Sequence, residues 1–139
     1  MYLLDTNVVS ELRRVDTGIA DPHVKAWSEA LDAESTFLSV ITILELEHGT
    51  LLIERRDARQ GALLRAWLNH RILAEYDQRI LPIDTPIAQR CAALLVPDPL
   101  EDRDALIAAT ALVHGMTIVT RNVSHFRRTG VPILNPWRP

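Results

Sequence analysis

Short apolar runs alternate with amphipathic segments along the chain, and this alternation predicts β-strands separated by helices. The predicted strands cover residues 2–5, 35–40, 79–84, 117–120 and 131–134. The predicted helices cover residues 7–14, 21–31, 42–53, 60–75, 85–96 and 99–114. Strands that alternate with helices favour a parallel sheet with helices on both faces. We therefore predict an α/β fold, a three-layer α/β/α sandwich with a central parallel sheet.

Capping signals predict the starts of two helices that carry acidic residues. Thr42 and Glu45 form a Thr-x-x-Glu capping box, which offers a purely structural role for Glu45. Asp98 and Glu101 have the equivalent spacing, so we predict that Glu101 is mainly a capping residue.

Length and composition are those of an ordinary globular protein. The chain has 139 residues, and we predict a single domain over residues 1–139. Its 47% hydrophobic and 24% charged residues do not favour a disordered chain. The longest stretch without a formal charge, residues 105–120, is too short and too polar for a membrane span. No secretory signal is recognisable, so we expect a cytoplasmic protein that does not bind a membrane.

The charges are unevenly distributed. The net charge is -3, yet residues 121–139 contain four arginines and no acid. Every basic residue except Lys25 is an arginine, and the planar guanidinium suits phosphate as well as surface ion pairs. The single cysteine, Cys91, excludes an internal disulfide, and the histidines lack the spacing of a zinc site.

Three acids and one amide stand near the ends of predicted elements, namely Asp5, Glu45, Asp104 and Asn122. Asp5 and Asn122 follow two predicted strands, and open parallel sheets bind ligands at such ends. Asp104 lies on the apolar face of its predicted helix. A buried, unpaired carboxylate costs several kcal/mol, so these acids need a cation, a basic partner or a proton. Carboxylate oxygens suit Mg²⁺ or Mn²⁺, whose usual substrates are phosphate esters.

Five short motifs run in order along almost the whole chain: residues 3–7 (LLDTN), 42–49 (TILELEHG), 104–111 (DALIAATA), 120–122 (TRN) and 135–137 (NPW). Each motif alone is unspecific, whereas the ordered set is highly specific. The set resembles the PIN-domain ribonucleases, and more closely their VapC and FitB branch of toxin-antitoxin toxins.

The resemblance implies a type II toxin that hydrolyses RNA as an endoribonuclease dependent on Mg²⁺, with Mn²⁺ as a substitute. It implies that Asp5, Glu45 and Asp104 form the catalytic, metal-binding triad, and that Asn122 replaces the fourth aspartate of many relatives. The implied partners are RNA, a second copy in a homodimer, and a VapB-type antitoxin whose tail lies across the active groove. Operator DNA is reached only through the antitoxin.

Several supporting roles are expected around this triad. The hydroxyls of Thr6 and Thr120 are expected to orient the carboxylates. One metal ion is expected to polarise the scissile phosphate and to acidify a water molecule. A second ion near Asn122 is expected to bind weakly, because an amide oxygen carries no full charge. His125 could contact phosphate, and the segment around Trp67 could bind a partner.

Two other classes of protein need residues that this chain lacks. A phosphotransfer receiver needs adjacent acids near the first strand and a lysine after the last, whereas Lys25 lies in the second predicted helix. A dehalogenase-type phosphatase needs a second aspartate where this chain has Asn7. The remaining alternative is a degenerate PIN domain that binds RNA or an antitoxin without cutting, with Asn122 as a sign of lost activity.

Overall fold

The computed structural model describes residues 1–138. Its strands are β1 (Tyr2–Leu4), β2 (Thr36–Ser39), β3 (Ile80–Leu81), β4 (Thr117–Val119) and β5 (Ile133–Leu134). They form one sheet in the order β3-β2-β1-β4-β5, and every neighbouring pair is parallel. The parallel sheet predicted from the alternation of elements is confirmed.

The described residues contain seven α-helices: α1 (Thr6–Asp16), α2 (Pro22–Glu29), α3 (Val40–Arg56), α4 (Ala58–Trp67), α5 (Thr85–Leu94), α6 (Asp102–His114) and α7 (Val123–Phe126). A π-helix over Leu68–Leu73 continues α4, and 3₁₀ turns cover Ala33–Ser35 and Arg127–Thr129. Within residues 1–138, none of the helices has the length and apolar character that crossing a membrane requires.

The core lies on both faces of the sheet because successive strand residues point in opposite directions. Leu3 and Ile118 pack with apolar residues of α6 and α7 on one face. Leu4 and Val119 pack with residues of α1 and the π-helix on the other face. Helices therefore cover both faces, which confirms the predicted three-layer α/β/α sandwich.

Helix α3 begins earlier than the capping pattern predicted. Ser39, the last residue of β2, is the N-cap, and its hydroxyl accepts a hydrogen bond from the Ile41 N–H at 3.0 Å. Thr42 therefore lies inside the first turn, and the predicted capping box between Thr42 and Glu45 is wrong. The serine satisfies a free helical N–H where the strand stops, so the helix starts there. The carboxylate of Glu45 is left free for another role.

Helix α6 begins later than predicted. Its N-cap is Glu101, whose Oε2 accepts from the Asp104 N–H at 2.9 Å. The predicted capping box between Asp98 and Glu101 is therefore wrong, although Glu101 is a capping residue. Pro99 disfavours helical backbone at the residue before it, and the segment around it stays outside the helix.

The remaining differences are short elements. Strands β3 and β5 have two residues each, fewer than the apolar runs suggested. Helix α7 was not predicted, because its four residues carry a single large buried side chain, Phe126, in a polar stretch. The predicted helix over residues 60–75 is α4 together with the π-helix.

The sheet has a topological switch point beside its central strand. From β1 the chain proceeds to β2 and β3 at one edge, and later places β4 and β5 on the other side of β1. Connections then leave the carboxyl ends of β1 and β4 towards opposite faces, which opens a crevice there. The Asp5 N–H donates to the Val119 carbonyl at 2.9 Å and holds the two strand ends together.

Candidate active site

An open hollow of about 440 Å³ lies at the carboxyl ends of β1 and β4. Polar and charged side chains line it: Asp5, Thr6, Asn7, Ser10, Glu45, Glu101, Asp104, Asn122 and His125. The structure thus brings the three candidate acids and the candidate amide to one place, although they come from four different segments. Thr120 is fully buried directly behind the hollow.

Asp5 is the most constrained of the acids. It is the N-cap of α1 and only 6% exposed. Its Oδ1 accepts from the Thr6 N–H at 2.8 Å, and its Oδ2 accepts from the Thr120 hydroxyl at 2.7 Å. The carboxylate is held in one orientation, since each oxygen has its own donor.

Glu45 projects from α3 and has two partners. Its Oε1 accepts from the Thr6 hydroxyl at 2.7 Å. Its Oε2 lies 3.7 Å from Arg103 Nη1 of α6. The geometry expected of Thr6 and Thr120 is present, in that each hydroxyl contacts one candidate acid. Their contribution to catalysis stays a prediction.

Asp104 lies in the first turn of α6, opposite His125, whose Nδ1 is 3.1 Å from Asp104 Oδ2. Burial raises the pKa of Asp104 above 3.8, and the charges of Asp5 and Glu101 raise it further, while His125 opposes the shift. The lining of the hollow has the same bias, because it contains four carboxylates and a single imidazole.

Asn122 follows β4 on the exposed side of the hollow. Its N–H donates to the Thr120 hydroxyl at 3.0 Å. Its side chain makes no capping hydrogen bond to α7, although Asn122 stands at the N-cap position. The amide is therefore not committed to the helix and can present its oxygen to a ligand.

Asn7 is a site residue that the sequence reasoning did not single out. Its Nδ2 lies 3.4 Å from Asp5 Oδ2, and its Oδ1 accepts from the Arg121 N–H at 3.2 Å. Asn7 thereby ties the start of α1 to the loop after β4. Its place in the LLDTN motif was the available signal. Arg103 was also missed, because its contact with Glu45 joins residues far apart in the chain.

The side chains that line the hollow determine which metal ion could bind there. Oxygen ligands predominate in the hollow, and four of its lining residues are carboxylates. Within residues 1–138, however, no three Asp, Glu, His or Cys side chains are close enough to hold one ion between them. This arrangement fits Mg²⁺ or Mn²⁺, which bind through one or two carboxylates and keep several waters. It does not fit a closed structural zinc site.

We expect Asp104→Asn to stabilise the protein in chelator. Because the pKa of Asp104 is higher in the folded state, its ionised form opposes folding, and this destabilisation develops as the pH rises above 3.8. Removing the charge should raise the free energy of unfolding at neutral pH by about 0.5–2 kcal/mol, the usual size of a stabilising substitution. Denaturant titration measures it.

Asp102→Asn is the matched control, since it removes an exposed acid from the same helical turn outside the hollow. It should leave the stability unchanged or slightly lower. Equal effects of the two substitutions would contradict an unfavourable environment for the Asp104 charge, which is set first by burial and then by Asp5 and Glu101.

A groove of about 550 Å³ adjoins the hollow and shares Thr6, Ser10 and Glu45 with it. Its further lining is apolar and arginine-rich: Arg13, Arg14, Leu46, Gly49, Thr50, Leu52, Ile53, Arg56, Leu64 and Trp67. Of the segment expected to contact a partner, Trp67 lines this groove, whereas Leu68 is only 1% exposed and belongs to the core.

Comparisons with known proteins relate this chain to one family over most of its length. The sequence profile of the PIN domain matches residues 2–132. The VapC ribonuclease Y4jK of Sinorhizobium fredii is 34% identical over 144 residues, covering 100% of this chain and 99% of the relative. The crystal structure of FitAcB from Neisseria gonorrhoeae has 35% identity and a TM-score of 0.89, with 100% of both chains covered. A toxin-antitoxin complex from Klebsiella pneumoniae has 26% identity and a TM-score of 0.67, with 98% of both chains covered.

Proposed function

Because the chain belongs to the PIN-domain family, we propose that it is a single PIN domain acting as an endoribonuclease, the toxin of a toxin-antitoxin pair. The observation that carries this proposal is the convergence of Asp5, Glu45 and Asp104 on one open hollow. A VapC ribonuclease and a toxin-antitoxin complex among its relatives support the same function. We place the activity in the cytoplasm.

The residues around the hollow are suited to orient fixed negative charges towards a substrate. Thr120 and the Thr6 N–H hold the Asp5 carboxylate, and the Thr6 hydroxyl holds Glu45. Groups held in this way need not reorganise when charge develops in the transition state. The reaction we propose is hydrolysis, which leaves a 3′-hydroxyl and a 5′-phosphate.

We further propose that the activity depends on Mg²⁺, with Mn²⁺ as a substitute. Asp5, Glu45, Asp104 and Asn122 would hold the ion, some of them through water because, within residues 1–138, no three acidic side chains are close enough to bind one ion directly. A bound divalent cation supplies a Lewis acid for the phosphate and lowers the pKa of a water molecule. The contribution of the chain is to hold these oxygens around an open hollow.

The groove beside the hollow is our candidate site for the tail of a VapB-type antitoxin. Its apolar floor and its arginines suit a segment with apolar and acidic side chains. Such a segment could reach Glu45, which lines both the groove and the hollow. Operator DNA would be bound through the antitoxin. Leu44, Leu51 and Leu63 are about half exposed and offer apolar surface for a homodimer.

Purified, antitoxin-free protein incubated with a structured RNA pool tests the function. We expect cuts in Mg²⁺ or Mn²⁺ and none in excess chelator. No cuts under any condition, together with absence of metal binding by calorimetry, would favour the degenerate binding module instead.

We expect Asn122→Asp to tighten divalent-cation binding. A carboxylate at this position adds a full negative charge to the acidic hollow, which should increase Mn²⁺ affinity by about tenfold in low salt. Calorimetric titration measures the change. Asn135→Asp, after the neighbouring strand β5 and outside the hollow, is the control and should bind Mn²⁺ as the wild type does. Unchanged titration and cleavage in Asn122→Asp would count against a role for Asn122 in metal binding.

A further inference from the structure

We propose that Arg103 binds a phosphate group of the RNA substrate at the rim of the acidic hollow, exchanging its contact with Glu45 for that phosphate. This inference rests on the proposed endoribonuclease function and assigns a substrate-binding residue to it.

The negative charges of the hollow repel the phosphates of an RNA strand. Four carboxylates line the hollow, those of Asp5, Glu45, Glu101 and Asp104. Phosphates approaching them are repelled unless positive groups lie between. Among the described residues, Arg103 is the only lysine or arginine that forms an ion pair with any of the four. The chain therefore places one permanent positive charge 3.7 Å from a carboxylate that lines the hollow.

The contact between Arg103 and Glu45 is loose. Its 3.7 Å separation is longer than a hydrogen bond, and the arginine side chain is 44% exposed. Glu45 also keeps its hydrogen bond to Thr6, so it does not need Arg103 to hold its orientation. The guanidinium can therefore leave Glu45 without freeing that side chain.

Arg65 has a structural role in this chain, and its hydrogen bonds can be compared with those of Arg103. Its guanidinium makes two hydrogen bonds to Glu54, at 3.0 and 3.3 Å, and a third to Glu47. It joins α3 to α4 and is less exposed than Arg103. By contrast, Arg103 makes no side-chain hydrogen bond within residues 1–138. Its donors are free for a phosphate, whose oxygens match the planar guanidinium.

The alternative role for Arg103 is to neutralise Glu45 without touching substrate. The two roles differ in their dependence on salt, because only a phosphate contact releases counterions from RNA. They also differ in kinetics, because a contact present in both the ground and transition states changes KM and leaves kcat unaltered.

The test is steady-state cleavage of a single-stranded oligoribonucleotide in Mg²⁺ at several salt concentrations. For Arg103→Gln we expect KM to rise about tenfold, because one charge-assisted hydrogen bond to the substrate is lost. The value of kcat should stay within about twofold of the wild type. The slope of log(kcat/KM) against log salt should become shallower by about 0.7, the value for one phosphate contact on a single strand. Arg103→Lys should retain part of the salt slope.

Arg90→Gln is the matched control, since Arg90 is exposed on α5 and, within residues 1–138, forms no ion pair with an acid of the hollow. It should leave KM and the salt slope unchanged. Unchanged KM and salt slope in Arg103→Gln, with tighter Mn²⁺ binding, would overturn the inference in favour of simple neutralisation. If the wild type itself cuts no RNA, the proposed function fails. The binding affinity of the same oligonucleotide, measured by fluorescence anisotropy, then tests the contact between Arg103 and phosphate. Equal affinities of the wild type and Arg103→Gln would overturn that contact.

Discussion

Asp5→Asn is expected to lower the RNA cleavage rate by about 10³-fold or more, because loss of metal-ligand charge removes several kcal/mol of transition-state stabilisation. The Asp5 carboxylate accepts from the Thr6 N–H and the Thr120 hydroxyl, so both oxygens act as acceptors. Asparagine keeps the shape but replaces one acceptor with a donor and removes the charge. Its ability to cap α1 is retained. The protein should therefore stay folded, as circular dichroism and thermal unfolding would show.

Asp102→Asn serves as the control for loss of one acidic charge. Asp102 is exposed in the first turn of α6 and does not line the hollow, although it is close in sequence to Asp104. Its substitution should leave the cleavage rate within about twofold, as for most surface changes away from a site. Wild-type cleavage by a folded Asp5→Asn protein would show that the hollow is not the active site.

Gly61→Ala has the largest expected effect on stability. A Cβ at this position would lie 2.6 Å from the Cα and 2.7 Å from the Cγ of Glu54, which is a contact with backbone of α3. Helices α3 and α4 would have to separate, and we expect a net loss of about 1–3 kcal/mol in the free energy of unfolding, the usual cost of overpacking. The two helices also line the groove beside the hollow, so antitoxin binding should weaken as well.

Gly49→Ala offers a control of the same chemistry in α3. A Cβ at Gly49 meets no atom within 4 Å, so alanine should stabilise the helix by about 0.5–1 kcal/mol. Urea unfolding of both variants measures the difference. Similar stabilisation by the two substitutions would contradict the close packing of α4 on Glu54.

The parallel sheet, and the meeting of candidate side chains at one of its edges, followed from the sequence. Apolar runs that end at Asp5 and before Asn122 predicted two strand ends on the same edge of a parallel sheet, and the structure has β1 and β4 as neighbours. This worked because the strands are buried on both faces and read as continuous apolar runs. Glu45 and Asp104 could be placed on helices, and the motif order resembled a family with such a site.

Helix starts were predicted less well, because two residues can compete for the same cap. Ser39 and Thr42 are both good N-caps, and the pairing of β2 with β3 ends at Ser39, so the helix begins there. Local sequence does not contain that information. At α6, the N-cap is Glu101 itself, a residue type outside the preferred caps.

The contacts that complete the site could not be derived from sequence spacing. Arg103 meets Glu45 across 58 positions, and His125 meets Asp104 across 21. Such pairs depend on how α3, α6 and α7 pack at the end of the sheet. The hydrogen bonds of Thr6 and Thr120 to candidate acids were easier to foresee, since each threonine stands next to or near a strand end that carries a candidate ligand.

The chemistry of the RNA ends produced by the wild-type protein tests the central claim most directly. Sequencing cleaved RNA with adapters specific for each end type distinguishes the possibilities. The account predicts 3′-hydroxyl and 5′-phosphate ends that form in Mg²⁺ or Mn²⁺ and disappear in chelator. Ends with a 2′,3′-cyclic phosphate and a 5′-hydroxyl, formed equally well in chelator, would contradict metal-dependent hydrolysis at the acidic hollow.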